Sequence, residues 1–340
     1  MTIRKVDFPS HQPVLIRSLI EKLPFVAGVW IDCTFGAGGY TRALLDAGAQ
    51  KVIGIDRDPS TLAHAATLKA KYGSKFELCE ANFSMLELVA KQFKLKQISG
   101  IVFDVGVSSM QIDEAGRGFS FQRDGPLDMR MSQNGVTAAD IVNNVSEADL
   151  ADIIYYYGED RAARVIAKAI IKERTTQEIN STEHLSNLIN GAIGRSNYKS
   201  NKSVNPSTRT FQALRIAVNN ELEELYLALI AAEKILDEGA ILAVVSFHSL
   251  EDRIIKKFIK SRSINGSGQS RYLPQLKSNS PTFRELFNKV LRPTDEEILA
   301  NPRARSAKLR IATRLRPTGG RGNSVKIEFP KVNYKLGIRQ

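Results

Sequence analysis

A glycine-rich turn followed by a carboxylate is the feature of this sequence with the most definite chemistry. Residues 32–40 read Asp-Cys-Thr-Phe-Gly-Ala-Gly-Gly-Tyr, and Asp56 ends the next apolar run. Glycine lets a backbone approach a ligand closely, and a carboxylate can accept both hydroxyls of a ribose. The turn is shorter than the Gly-x-Gly-x-x-Gly that holds a pyrophosphate, which favours a nucleoside without phosphates, such as S-adenosylmethionine. A plain strand-to-helix turn beside an incidental surface aspartate is the alternative.

Two further polar residues follow apolar runs and could take part in a reaction. Asp104 ends the run that starts at Ile98, and His248 comes two residues after the run 240–246. Methyl transfer to nitrogen requires alignment of the reacting atoms and an acceptor for a proton. Asp104 could accept a hydrogen bond from an amino group about to be alkylated. His248 could act as a base or contact substrate, although a single histidine after a strand is often structural.

The elements that would position these residues alternate between strands and helices. This alternation is typical of a parallel sheet with helices on both faces. The run 240–246 reads as a strand buried on both faces, and 308–316 alternates, with a basic side predicted to be solvated (Lys308, Arg310, Arg314 and Arg316). The predicted strands of the first half are 29–34, 51–56, 76–80 and 98–104, and the predicted helices are 41–47, 59–72 and 84–93.

Between Asp104 and the run 240–246 the pattern becomes helical. An ordered loop rich in Gly, Asp and Arg is predicted first, and Thr137 and Ser146 begin motifs that resemble capping boxes. The predicted segments are a loop at 113–135, helices at 160–174 and 182–193, a surface loop at 195–208 and a long helix at about 210–236. We therefore expect one α/β domain (1–112 and 213–316) interrupted by a helical insertion for RNA recognition (113–212), with a basic tail (317–340).

The charge of the chain favours a polyanionic partner. The net charge is +12, and residues 303–340 hold eleven Lys or Arg against the single acid Glu328. A tail that binds nothing specific is the alternative to one that contacts phosphates. Near the loop at 113–135, arginine and phenylalanine side chains could hold an unstacked base, or the loop could simply pack at a domain junction.

The remaining composition argues against several other classes of protein. No apolar run approaches the ~20 residues that span a membrane, and the N-terminus lacks the apolar core of a signal peptide. Two cysteines and four scattered histidines indicate neither a disulfide framework nor a metal site. We expect a cytoplasmic protein.

Longer strings, in order along the chain, resemble one family. They are Phe-Gly-Ala-Gly-Gly (35–39), Asp-Arg-Asp-Pro (56–59), Asp-Val-Gly-Val-Ser-Ser (104–109), Gly-Arg-Gly-Phe-Ser-Phe (116–121), Arg-Asp-Gly-Pro-Leu-Asp-Met-Arg-Met (123–131), 206–221, 246–253 and Asn-Pro-Arg-Ala-Arg-Ser (301–306). From about His11 to Leu315 the chain is similar to the bacterial small-subunit ribosomal RNA cytosine-N4 methyltransferases. The family commonly has His where this chain has Tyr40, which puts a side-chain contact there in doubt.

This resemblance implies a Rossmann-like class I methyltransferase sheet, S-adenosylmethionine as cofactor, and methylation of one cytidine amine in the decoding centre of 16S ribosomal RNA, within the 30S subunit. It implies cofactor contacts at Gly36, Gly38, Gly39, Tyr40, Asp56, Phe83, Asp104 and Gln111. Contacts with the RNA are expected at Arg117, Phe119, Arg123, Arg130, Arg209, Arg303 and Arg305. The alternatives are a methyltransferase of another nucleic-acid base, a non-catalytic assembly factor that binds ribosomal RNA, and, more remotely, a nicotinamide dehydrogenase.

Overall fold

The computed structural model describes residues 13–194, 205–263, 281–315 and 326–336. The chain divides into two compact units. The first, here called the sheet unit, contains the described residues up to Gly106 and from Glu224 to Glu328. The second, the helical unit, contains those from Val107 to Glu223 and from Phe329 onwards. The helical unit thus has wider bounds than the predicted insertion at 113–212, and it also includes part of the predicted tail.

The sheet unit is built on a seven-stranded sheet in the order β3-β2-β1-β4-β5-β7-β6. β7 is antiparallel to both of its neighbours, β5 and β6, whereas β1 to β5 pair in parallel. This is the strand order and polarity of a class I methyltransferase sheet, which confirms the predicted fold class. The strands are β1 Val29–Asp32, β2 Lys51–Asp56, β3 Phe76–Glu80, β4 Gly100–Asp104, β5 Ile241–Ser246, β6 Phe283–Glu285 and β7 Lys308–Arg314. Every residue of β5 is buried, as its continuous apolar sequence predicts.

The helices alternate with the strands in the sheet unit, as the sequence predicts. Thr137 and Ser146 cap their helices through the N–H groups of Asp140 and Asp149, as predicted. The α-helices of the described residues are α1 Ile16–Lys22, α2 Gly39–Ala47, α3 Leu62–Tyr72, α4 Leu86–Gln92, α5 Ser109–Asp113, α6 Ala138–Asn144, α7 Glu147–Gly158, α8 Ala163–Arg174, α9 Thr182–Ile193, α10 Ser207–Asn219, α11 Glu221–Ile235, α12 Ser249–Ser263 and α13 Asp295–Ala300. None of these helices is long and apolar enough to cross a membrane.

The prediction of one long helix at 210–236 is wrong, because the helix is interrupted at Asn220. This residue has a φ of 50°, in the left-handed region, and separates α10 from α11. Asparagine tolerates that conformation better than most residues, so it can end a helix without glycine. The apolar period continues across the break, which is why periodicity alone predicts one helix.

The prediction that the basic side of the strand at 308–316 is solvated is also wrong. Arg314 is 7% exposed and donates a hydrogen bond of 2.7 Å to a main-chain carbonyl. Arg310 and Lys308 form ion pairs with Asp252 of α12, at 2.8 and 3.0 Å. Alternation predicts which side chains share a face, but not that a helix with its own carboxylate packs over that face. Arg316 lies outside the described residues.

The predicted ordered loop is anchored within the helical unit. Asn219 of α10 accepts a hydrogen bond from the N–H of Met131 (2.9 Å) and donates one to the carbonyl of Met129 (2.7 Å). Pro126 pairs with Ser181 at the start of α9. The loop is therefore held at both its middle and its end. Most of the predicted surface loop at 195–208 lies outside the described residues.

Part of the predicted basic tail packs on the helical unit. Lys331 forms an ion pair of 2.7 Å with Glu223, and the N–H of Val332 donates to the hydroxyl of Tyr157 at 3.0 Å. The hydroxyl of Tyr334 donates to a carbonyl of α10 at 3.2 Å. Residues 329–336 thus serve packing. The segments 316–325 and 337–340 lie outside the described residues.

Candidate active site

The glycine turn connects β1 to α2 and has little room for side chains. Gly38 is the residue before α2, with a φ of 76°, and an added Cβ would lie 2.8 Å from side-chain atoms of Phe35 and Leu68. A Cβ on Gly39 would lie 2.1 Å from Cγ of Pro13. The sequence motif therefore meets both a conformational and a steric requirement for glycine.

Asp56, at the end of β2, ties the strand to this turn. Its Oδ2 accepts a hydrogen bond from the N–H of Gly36 at 2.7 Å, and its Oδ1 accepts one from the N–H of Asp58 at 2.9 Å. Burial raises the pKa of Asp56, while these two hydrogen bonds lower it. A carboxylate has about four acceptor positions, so two remain for a ligand. Asp58 caps the following turn through the N–H of Ser60, at 3.0 Å.

Asp32, at the end of β1, organises the other side of the turn and is a site residue that the sequence motifs did not indicate. Its Oδ2 accepts hydrogen bonds from the N–H (3.0 Å) and hydroxyl (2.7 Å) of Thr41, and its Oδ1 accepts one from the N–H of Thr34 (3.3 Å). Burial raises the pKa of Asp32 to about 6. Its position at the end of β1 is the signal that would have found it, because Asp56 and Asp104 were found by the same rule.

Asp104 ends β4 and is the least satisfied carboxylate of this edge. The N–H of Asp104 donates a hydrogen bond to the hydroxyl of Thr34 at 2.6 Å. The side-chain Oδ1 of Asp104 is buried and has no hydrogen-bond partner among the described residues. Burial, followed by the negative charges of Asp32 and Glu251, raises its pKa well above the ordinary value. A buried acceptor in this state is ready to receive a donor or a positive charge.

His248 lies just before α12, where it forms a reciprocal cap with Glu251. Glu251 Oε2 accepts the N–H groups of Phe247 (2.8 Å) and His248 (3.1 Å), while the N–H of Glu251 points to His248 Nδ1 at 3.5 Å. His248 Nε2 lies 3.0 Å from Glu251 Oε1, without the alignment of a hydrogen bond. These contacts resemble a capping box and favour the structural alternative for this histidine.

We therefore expect His248→Asn to retain most of the activity. Asparagine is a good N-cap, so kcat should stay within about threefold and the free energy of unfolding within about 1 kcal/mol. Steady-state kinetics and denaturant unfolding measure both. His184→Asn, which removes a 2.9 Å contact with Glu173 in the helical unit, is the matched control. A hundredfold loss of kcat with unchanged stability would instead make His248 a catalytic base.

Two more cofactor candidates of the sheet unit differ in what their side chains can do. Tyr40 is 3% exposed and its hydroxyl donates to the carbonyl of Val14, so its side chain belongs to the core. Phe83 is half-buried and meets Phe103 edge-on, with ring centroids 6.0 Å apart. Only the backbone of Tyr40 can serve a ligand, whereas the ring of Phe83 retains exposed surface.

Gln111 belongs to the helical unit and is engaged in the cap of α5. Its side-chain oxygen accepts the N–H of Ser108 at 3.0 Å, and its own N–H donates to the Ser108 hydroxyl at 3.2 Å. Gln111 is also 5% exposed. Its expected contact with the cofactor therefore competes with a local role.

The predicted RNA contacts of the loop at 113–135 are not equivalent. Arg117 is buried and donates to the carbonyls of Arg130 (2.9 Å) and Met131 (3.0 Å), so it holds the loop together. Arg130 forms a two-point ion pair with Asp128, at 2.9 and 2.6 Å. Phe119 is half-buried, 5.7 Å from the guanidinium of Arg117.

The other predicted RNA contacts are exposed. Arg123 and Arg209 each donate to one main-chain carbonyl, at 3.3 and 3.4 Å, and keep their charge at the surface. Arg303 and Arg305, in the sheet unit, are exposed in the short 3₁₀ segment that precedes β7. These four arginines present guanidinium groups at the surface of their units.

Residues 9–315 match the MraW methylase family, most of the chain. The chain belongs to this family. Membership confirms the resemblance read from the sequence strings, the class of enzyme and its methyl donor, S-adenosylmethionine.

The chain is similar to proteins named ribosomal RNA small subunit methyltransferase H. The one from Jannaschia sp. is 50% identical over 91% of this chain and 93% of its own length. The one from Cereibacter sphaeroides is 49% identical over 96% of each chain. Among solved structures, an rRNA methylase from Streptococcus thermophilus has a TM-score of 0.35 at 11% identity, covering 88% of this chain and 94% of that one, a likeness that decides nothing further.

Proposed function

We propose that this member of the MraW methylase family methylates the exocyclic N4 of a cytidine in the decoding centre of 16S ribosomal RNA, on the 30S subunit in the cytoplasm. The observation that carries the proposal is the extent of the similarity. Relatives named for a small-subunit RNA methyltransferase are about half identical over nine-tenths of both chains. The carboxylates at the ends of β1, β2 and β4 supply the chemistry such an enzyme needs.

The residues at this edge fit the methyl donor. When bound, S-adenosylmethionine supplies an electrophilic methyl group on a sulfonium. We assign the ribose hydroxyls to the remaining acceptor positions of Asp56, and the backbone of the turn (Gly36, Gly38, Gly39 and Tyr40) to the amino-acid end. Phe83 is assigned to the adenine ring, and Gln111 stays a predicted contact. The buried Oδ1 of Asp104 supports the fit, because a buried acceptor without a partner is costly unless a donor or cation meets it.

We propose that Asp104 accepts first a hydrogen bond and then a proton from the substrate amine. The lone pair of cytosine N4 is delocalised into the ring, so this nitrogen is a weak nucleophile. An ionised carboxylate that accepts a hydrogen bond from N4–H favours a tetrahedral nitrogen. The same carboxylate can take the proton that this nitrogen loses on methylation. A positive charge nearby lowers the raised pKa of Asp104 and so favours the ionised form that is needed.

For the RNA, we assign contacts to the exposed arginines Arg123, Arg209, Arg303 and Arg305, together with Phe119 as a surface for stacking. Guanidinium groups bind phosphates and stack on bases, and an aromatic ring offers a stacking surface, so both suit a single-stranded nucleotide. Arg117 and Arg130 support the loop that carries Phe119 and Arg123.

The proposal is tested with undermethylated 30S subunits and S-adenosylmethionine. We expect N4-methylcytidine to appear in the 16S ribosomal RNA, as detected by mass spectrometry of its nucleosides. Methylation of a different base, or of DNA alone, would overturn the assigned substrate. A wild-type protein that binds the subunit but transfers no methyl group would support an assembly factor instead.

A further inference from the structure

The positive charge of this protein is concentrated in one segment of the sheet unit. Residues 253–316 hold sixteen Lys or Arg against four Asp or Glu, which equals the net surplus of the whole chain. The insertion at 107–223, by contrast, holds thirteen Lys or Arg against fifteen Asp or Glu. Long-range attraction of a polyanion therefore originates from the sheet unit and not from the insertion.

Several cations of this segment are neutralised within the fold. Arg262 pairs with Glu233 at 2.6 Å and is 2% exposed. Lys308 and Arg310 pair with Asp252, as described above. These side chains stabilise the edge of the sheet and have little charge to offer a partner.

The exposed face of α12 carries a row of cations. Arg253, Lys256, Lys257 and Lys260 are all exposed, and their spacing of i, i+3, i+4 and i+7 places them on one side of the helix, about 10 Å long. Lys257 lies 3.4 Å from the main-chain carbonyl of Glu328, which leaves its charge in place. We call these four residues the α12 stripe.

The acidic residues of α12 do not offset this stripe. Glu251 is fully buried in the helix cap, and Asp252 is occupied by the two cations of β7. From residue 253 to the end of the helix there is no acid. Like charges at i, i+3 and i, i+4 repel each other, and a bound polyanion removes that cost.

The stripe is rigid and begins close to the edge where the candidate site lies. The opposite face of α12 is buried, with Phe258 against Phe283 of β6 at 6.0 Å between ring centroids. α12 starts three residues after β5, whose neighbour β4 ends at Asp104. Arg253 is therefore about one helical turn from the carboxyl edge of the sheet, and Lys260 is two turns further on.

We propose that the α12 stripe binds consecutive phosphates of the small-subunit ribosomal RNA that flank the methylated nucleotide. The inference rests on the proposed function for the identity of the RNA. Phosphates match a row of cations whose own acids are neutralised elsewhere, and binding there leads the strand towards Asp104. The stripe supplies affinity for the strand, whereas the exposed loop residues hold the target base.

The test compares Lys256→Gln/Lys257→Gln/Lys260→Gln with wild type in binding to fluorescently labelled 16S ribosomal RNA over a range of salt concentrations. Each lost phosphate contact reduces the slope of log K against log salt by about 0.7 to 0.9, so the slope should become shallower by about 2 to 3. At 0.1 M salt the affinity should fall roughly 100-fold. The affinity for S-adenosylmethionine and kcat at saturating RNA should stay unchanged.

Two further variants separate a specific surface from general loss of charge. Arg164→Gln/Lys168→Gln/Lys172→Gln removes three exposed cations from α8 and should change the affinity by less than about threefold. The triple lysine-to-arginine variant of the α12 stripe should bind as wild type does. An unchanged slope in the α12 glutamine variant, or equal losses from α8 and α12, would overturn the proposal. A wild type that binds RNA in this way but transfers no methyl group contradicts the proposed function and leaves the binding result for α12 standing.

Discussion

Asp104→Asn is expected to lower kcat by about 10²- to 10⁴-fold. Asparagine has the size of aspartate and can still accept a hydrogen bond from the substrate amine, but it cannot take up the proton. The dissociation constants of S-adenosylmethionine and of the RNA should change only a few-fold. Single-turnover methylation of undermethylated 30S subunits measures the loss directly.

The pH dependence gives this prediction a second readout. Burial and the charges of Asp32 and Glu251 raise the pKa of Asp104, and the proposed role requires the ionised form. The wild-type rate should therefore increase as the pH rises through this pKa, because the carboxyl then loses its proton. Below this pKa the rate should be low. The Asn variant should lack this dependence. A variant that keeps more than a tenth of the wild-type kcat, or the same pH profile, would show that Asp104 is not the proton acceptor.

Asp56→Ala is expected to weaken the binding of S-adenosylmethionine by roughly 10²- to 10⁴-fold. Two hydrogen bonds between ribose hydroxyls and a carboxylate are lost, each worth about 1.5–3 kcal/mol. The N–H groups of Gly36 and Asp58 also lose their acceptor, which loosens the glycine turn. Isothermal titration calorimetry with the cofactor alone measures the change.

Asp58→Asn is the matched control for this variant. Asp58 lies two residues further along the same loop, and its side chain caps a short helical turn, a role that asparagine fills equally well. Its affinity for the cofactor should be within about threefold of wild type. Equal losses in both variants would mean that the loop as a whole is fragile and that Asp56 has no special role in binding ribose.

The sheet was predictable because its strands are contiguous apolar runs that end in polar residues. β2 and β3 have the predicted bounds, and β5 is buried along its whole length. β6 was missed since three residues at an edge leave no pattern in the sequence. The break at Asn220 was missed because the apolar period continues on both sides of it.

The candidate site was predictable only as far as strand ends could be located. That rule identified Asp56 and Asp104, and applied to β1 it would also have identified Asp32. The RNA contacts were harder, because sequence does not show which arginines the fold uses internally. Arg117 is buried beneath its loop, and Arg314, at the end of β7, is buried and bonded to a main-chain carbonyl, whereas Arg123 is exposed. Charge patterns locate cations, but only tertiary packing shows which remain available.

The most direct test of the central claim is a crystal structure of the protein with S-adenosylhomocysteine and cytidine. We expect both ribose hydroxyls of the cofactor product within hydrogen-bond distance of Asp56, its sulfur above the glycine turn, and the cytidine N4 beside Oδ1 of Asp104. A nucleoside bound elsewhere, with Asp56 contacting only Gly36 and Asp58 and no ligand atom near Asp104, would contradict it.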